Sequence, residues 1–116
     1  MPEARRSYIA VTVTLTSANT NYNLLALVNA ILTPTLSPGA CRELSLQNTN
    51  GNTASVLVGD AELSSTRIGY ELTAGSSTVG MSRTYRCSGS NSVSIADIYV
   101  RSASAGQKLN VEICSY

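Results

Sequence analysis

The chain has 116 residues, the size of one ordinary domain. Of these 43% are hydrophobic and only 13% charged, against roughly 25% in typical globular proteins. Its formal net charge is +1, and it contains no His, Trp or Phe. This excludes a Ser-His-Asp or Cys-His catalytic set, a His-ligated metal site and a broad basic footprint for nucleic acid. No apolar run approaches the roughly 18 residues of a membrane span.

The first six residues, Met-Pro-Glu-Ala-Arg-Arg, imitate the basic start of a signal peptide. The residues that follow do not continue it. Ile9, Val11, Val13 and Leu15 alternate with Ala10, Thr12 and Thr14, a half-buried strand and not an export signal. After the polar stretch Ser17–Asn21 the period changes. Leu24, Leu25, Leu27, Val28, Ile31 and Leu32 fall on one face at helical spacing, with Thr20, Asn21 or Asn23 as N-cap and Pro34 as terminator. This predicts one short helix near residues 20–32.

Pro34, Pro38 and Gly39 mark a loop. Leu44 and Leu46 then alternate with polar neighbours, and Asn50-Gly51 reads as the turn of a hairpin. The returning segment Ser55–Gly59 is apolar on both faces, so it is expected to be central. Ile68, Tyr70 and Leu72 predict a further strand, and an irregular one is expected around Met81–Cys87. The apolar phase slips at Ala96, between Val93/Ile95 and Ile98/Val100, which calls for a bulge or short turn. Leu109, Val111 and Ile113 form the last strand. About seven short strands separated by frequent turns predict a mainly β chain, an antiparallel sandwich with one short helix.

The residues that could carry chemistry are few. Cys41, Cys87 and Cys114 form no C-x-x-C pair and read as free thiols, with Cys41–Cys114 as the alternative should their strands be neighbours. Glu43, Glu71 and Glu112 fall on outward strand phases, which argues against a carboxylate pair across a cleft. Asp60-Ala61-Glu62 only approaches a calcium loop. Tyr70, Tyr85 and Tyr99 have Arg67, Arg83, Arg86 and Arg101 nearby in sequence and offer stacking chemistry for sugars or bases. Packing at a core edge or a subunit interface is the plainer reading of them. No enzyme activity, cofactor or metal site is read from the chain. A surface so poor in charge suits burial against neighbours.

Several segments carry a family resemblance: Tyr22–Val28, Cys41–Asn48, Ala54–Asp60, Ser64–Gly75 and Ile98–Val111. Together, over about residues 20–114, they resemble small virion proteins encoded among the structural genes of tailed bacteriophages. The resemblance implies a jelly-roll-like β-sandwich that decorates a capsid or sits in a fibre or tail. It transfers no catalytic residue. Within the pattern, Gly59 is expected to let the chain turn before Asp60, Gly75 to supply a tight turn, and Gln107 to bond loop backbone.

The resulting expectation is a single sandwich domain over 9–116 preceded by an N-terminal arm over 1–8. The chain would be a capsid decoration (cement) protein that bridges major capsid subunits. It would be a homo-oligomer, with a trimer favoured, on the outer surface of a virion and made in the host cytoplasm. No nucleic acid, membrane or small-molecule substrate is expected as partner. Pro2, Arg5, Arg6 and Tyr8 are the candidate contacts to capsid or sister subunit. A receptor- or glycan-binding module of a fibre, spike or tail, using the tyrosines and the polar stretch 78–92, is the alternative.

Overall fold

The computed structural model describes residues 7–49, 51–74, 82–86 and 93–115. In chain order these form β1 (Ser7–Leu15), β2 (Tyr22–Asn23), helix α1 (Leu24–Asn29), β3 (Cys41–Asn48), β4 (Val56–Gly59), β5 (Tyr70–Leu72) and β6 (Ser82–Arg86). A 3-10 turn (Ile95–Asp97), β7 (Tyr99–Ser102) and β8 (Gln107–Ser115) complete it. One sheet runs β1-β8-β3-β6 and the other β2-β7-β4-β5, every pairing antiparallel. Strands pair first with last: β1 with β8, β2 with β7, β3 with β6, β4 with β5. That is a long ribbon folded back on itself into two antiparallel layers, a β-sandwich.

The alternation expected from the sequence sets the core. Val13, Leu15, Leu44, Leu46, Leu109, Val111 and Ile113 from the first sheet are fully buried against Val56, Val58, Leu72 and Val100 from the second. Each such side chain contributes about 1.5–3 kcal/mol when removed from water. Leu24 and Val28 of α1 and Ile95 of the 3-10 turn close one end of this core. The turn at 95–97 is the element that absorbs the phase slip at Ala96. Gly106, at φ 78°, occupies the left-handed conformation needed to enter β8.

Several expectations are sharpened or corrected. Eight strands are present among the described residues, because β2 is only two residues long and too short to show periodicity. The segment around Asn50-Gly51 does not close a hairpin. β3 and β4 belong to different sheets, and the turn carries the chain across the sandwich. The helix spans six residues, capped by Asn23, whose Oδ1 accepts from the Ala26 N–H at 3.1 Å. Its end tightens as the Ile31 N–H bonds to the Val28 carbonyl, so Ile31 swings outward and is 53% exposed instead of joining the apolar face. The chain turns directly after Gly59, as expected, with the Leu63 N–H bonded to the Asp60 carbonyl at 3.0 Å; a Cβ on Gly59 would lie 2.9 Å from Leu63 Cδ1, so the glycine also makes room for a buried leucine. The expected turn at Gly75 lies outside the described residues.

Amides tie the loops to the sandwich. The Gln107 Oε1 accepts from the Thr53 and Ala54 N–H groups at 2.9 and 3.0 Å, the role expected for it. Asn52 exchanges two hydrogen bonds with the Lys108 backbone, and Asn48, fully buried, donates to the Leu72 carbonyl at 2.7 Å. Asn29 bonds both backbone groups of Leu36 and pins the loop after α1.

Candidate functional site

The outer face of the β1-β8-β3-β6 sheet is a regular surface laid across four paired strands. Strand register sorts it into cross-strand rows: Tyr8, Cys114 and Glu43; Ala10, Glu112, Ser45 and Thr84; Thr12, Asn110 and Gln47. Side chains in a row interact directly, because opposed residues share a face. Thr12 Oγ1 donates to Asn110 Oδ1 at 2.9 Å, and Asn110 Nδ2 donates to Gln47 Oε1 at 3.2 Å. Ser45 and Thr84 hydroxyls lie 2.9 Å apart. The small side chain of Ala10 leaves a shallow depression walled by Tyr8, Thr12, Gln47, Asn110 and Glu112.

Tyr8 is the expected contact residue that the structure describes; Pro2, Arg5 and Arg6 lie outside the described residues. Tyr8 belongs to β1, is 65% exposed, and donates its hydroxyl to Glu112 Oε2 at 2.7 Å. That bond favours the protonated phenol and raises its pKa above the ordinary tyrosine value.

The tyrosine and arginine candidates separate. Arg83 on β6 stacks on Tyr70 of β5 and on Tyr85 of β6, with its guanidinium carbon 4.9 and 5.3 Å from the ring centres. Burial pushes the Tyr85 hydroxyl's pKa up. Tyr99 stands apart on β7, with β4 between it and β5. Arg67 binds Asp60 at 2.8 Å, and Arg101 reaches the Asn21 side-chain oxygen at 3.4 Å. The Arg86 side chain lies outside the described residues.

Asp60, Glu62 and Asp97 edge a second depression beside Tyr99. Asp60 is already occupied by Arg67 and by the Glu62 N–H, and the Arg67 hydrogen bond lowers its pKa. Among the described residues no cluster of His, Cys, Asp and Glu could hold a metal ion. Cys41 and Cys114 lie on neighbouring strands but are not joined to each other. Cys41 points into the core, while Cys114 takes the opposite, outward phase. Cys87 lies outside the described residues.

Sequence reasoning missed the Tyr70–Arg83 stack, because its members meet only when two sheets are layered. It also missed that β1 ends its sheet among the described residues, since nothing local says which strand lies at an edge.

No family model matches the chain, and no curated protein matches it in sequence. Solved structures do match in fold. One is the cryo-EM structure of the giant freshwater prawn Macrobrachium rosenbergii extra small virus (XSV) VLP, with a TM-score of 0.58 and 14% identity over 99% of this chain and 82% of that one. At that identity the likeness is one of fold, and it shows a sandwich of a kind found in a viral particle.

Proposed function

We propose that this chain is a structural virion protein that works by contact with other subunits and not by catalysis. The observation that carries this is the likeness in fold, over 99% of the chain, to a chain of a virus-like particle. Composition supports it. A surface with few charges, faced by rows of Thr, Ser, Asn and Gln, loses little by being covered, because few ions must be stripped of water.

Within that reading, the finer role is a decoration (cement) protein on the outside of a tailed-phage head. Copies bridge major capsid subunits, and separating two subunits then requires both contacts of a copy to break together. This part rests on the resemblance carried by segments such as Ala54–Asp60 and Ile98–Val111. A second reading, a glycan-binding module, draws on the depression beside Tyr8, where an exposed ring stands next to two amides and a carboxylate.

The test is the copy number of the chain in purified particles, by quantitative mass spectrometry. Hundreds of copies per particle are expected. A handful would shift the assignment to a fibre or tail tip, and absence would end the virion reading. If the isolated chain closed into shells by itself, it would be a shell subunit and not a decoration protein.

A further inference from the structure

Three of the four sheet edges carry the features that keep strands from pairing with foreign ones. β2 has two residues, β5 has three with Glu71 at its centre, and β6 has five including Arg83 and Arg86. Shortness and charge both blunt an edge. β1 is the exception. It runs nine residues, Ser-Tyr-Ile-Ala-Val-Thr-Val-Thr-Leu, with no charge, no Pro and no Gly.

Its backbone is also aimed outward. Lys108 directs its N–H and C=O to Asn52, away from β1. Its partner Thr14 therefore turns its own N–H and C=O away from β8, because the two residues of a non-bonded antiparallel pair face opposite ways. Alternation extends this to Thr12, Ala10 and Tyr8. Among the described residues no hydrogen bond takes up these groups.

We propose that β1 is an interface between two copies of this chain, joined edge to edge as an antiparallel pair about a two-fold axis at Val11. This deepens the virion reading and rests on it for its biological role. The register follows from two constraints. Apolar faces stay on one side only if opposed residue numbers have an even sum, since a slip of one flips every side chain. The full strand is used only when Ser7 meets Leu15. Both hold for a centre at Val11. Tyr8 then opposes Thr14 of the other copy, and Ala10 opposes Thr12. These four residues are the ones whose backbone groups point outward, so each opposed pair exchanges two hydrogen bonds.

A second copy fits better than an unrelated strand for two reasons. A copy brings an uncharged edge of the same nine residues, with its outward backbone groups in the matching register, so the ladder runs the full strand without interruption and no ion is stripped of water. It also covers the incompletely buried half of the strand. Val13 and Leu15 are fully buried, whereas Ile9 and Val11 are only partly so, and the pairing sets Ile9 against Val13 and Val11 against its own copy.

The test is sedimentation of the full chain and three double variants, with circular dichroism as a check on folding. Wild type is expected to sediment as two chains. In A10K/T12K and in A10E/T12E, like charges face each other across the axis, so each alone is expected to weaken association at least tenfold. A 1:1 mixture of the two should recover the dimer. A10K/T12E carries as many charges but in complementary positions, and should dimerise. A single-chain or three-chain wild type overturns the proposal, as does equal association of A10K/T12K and A10K/T12E. If A10K/T12K does not fold, A10K/T12E and A10E/T12E carry the comparison. Particle copy number separates this from the virion reading. A dimer absent from particles leaves the edge standing and removes the virion role. A single-chain species abundant in particles does the reverse.

Discussion

The Arg83 guanidinium lies 4.9 Å from the centre of the Tyr70 ring, and these residues belong to the end strands of different sheets. β6 ends the first sheet and β5 the second, so the stack joins the two layers along the side where neither has a further strand. Tyr85 lies near the same guanidinium, at 5.3 Å to its ring centre, so one cation contacts two electron-rich rings.

Arg83→Ala is expected to lower stability by about 1 kcal/mol, the scale of an exposed cation–π contact. Tyr70→Leu should cost a similar amount. The double variant should cost less than the sum, because the two single changes remove the same contact. Urea denaturation of the four species measures this; strict additivity would show that the stack holds nothing together.

A buried amide explains how a polar loop crosses an apolar sandwich. Asn48 donates to the Leu72 carbonyl at 2.7 Å and to the Ala54 carbonyl at 3.3 Å, and it accepts from Asn52. Asn48→Leu fits by volume but leaves these partners unpaired. The expected loss is about 2–3 kcal/mol, the cost of stranding buried polar groups. Gln107→Ala, which frees the Thr53 and Ala54 N–H groups, should cost about 1–2 kcal/mol. If thermal denaturation left either variant as stable as wild type, loop and sheet would be independent.

Much of the sandwich was legible because strand alternation is a local property. Val11–Leu15, Leu44–Leu46 and Leu109–Ile113 point inward as their spacing requires. What was not legible is relational. Asn50-Gly51 has the composition of a hairpin turn, but whether β4 returns beside β3 depends on the β8 and β7 strands that already flank them. For the candidate surface, Tyr8 was read as a contact residue from its position near the terminus. Its partners Glu112, Asn110 and Gln47 come together only through the register of β1, β8 and β3.

The tyrosines should ionise in a distinct order. Tyr22 accepts a hydrogen bond from the Ser17 N–H and shares another with the Thr16 hydroxyl, and these bonds lower its pKa. Tyr8 donates to Glu112, which raises its pKa. In an ultraviolet titration, Tyr22→Phe should remove a component below the ordinary tyrosine value and Tyr8→Phe one above it. For Tyr8 the folded pKa exceeds the unfolded one. Its contribution to stability is therefore complete below the ordinary tyrosine value and is lost as pH rises through the folded value. Asp60 has the opposite sign. Arg67 depresses its pKa, so that contribution is present above the ordinary carboxylate value and fades as pH falls through the depressed one. Reversal of the Tyr22 and Tyr8 order would contradict both hydrogen bonds.

Gly59 and Leu63 form a size-matched pair where β4 ends. A Cβ on residue 59 would stand 2.9 Å from Leu63 Cδ1, closer than two carbons tolerate, and Leu63 is only 2% exposed. Gly59→Ala therefore overpacks a filled site and should cost about 1–3 kcal/mol. Leu63→Val removes the atom in conflict at the expense of lost burial, about 1 kcal/mol on its own. Combined, the smaller residue makes room for the larger one, so the pair should cost less than the sum by at least about 0.5 kcal/mol. A penalty for Gly59→Ala that persists undiminished in the Leu63→Val background would place its origin in the backbone at residue 59 and not in the contact. Denaturation of the two single variants and the double decides between them.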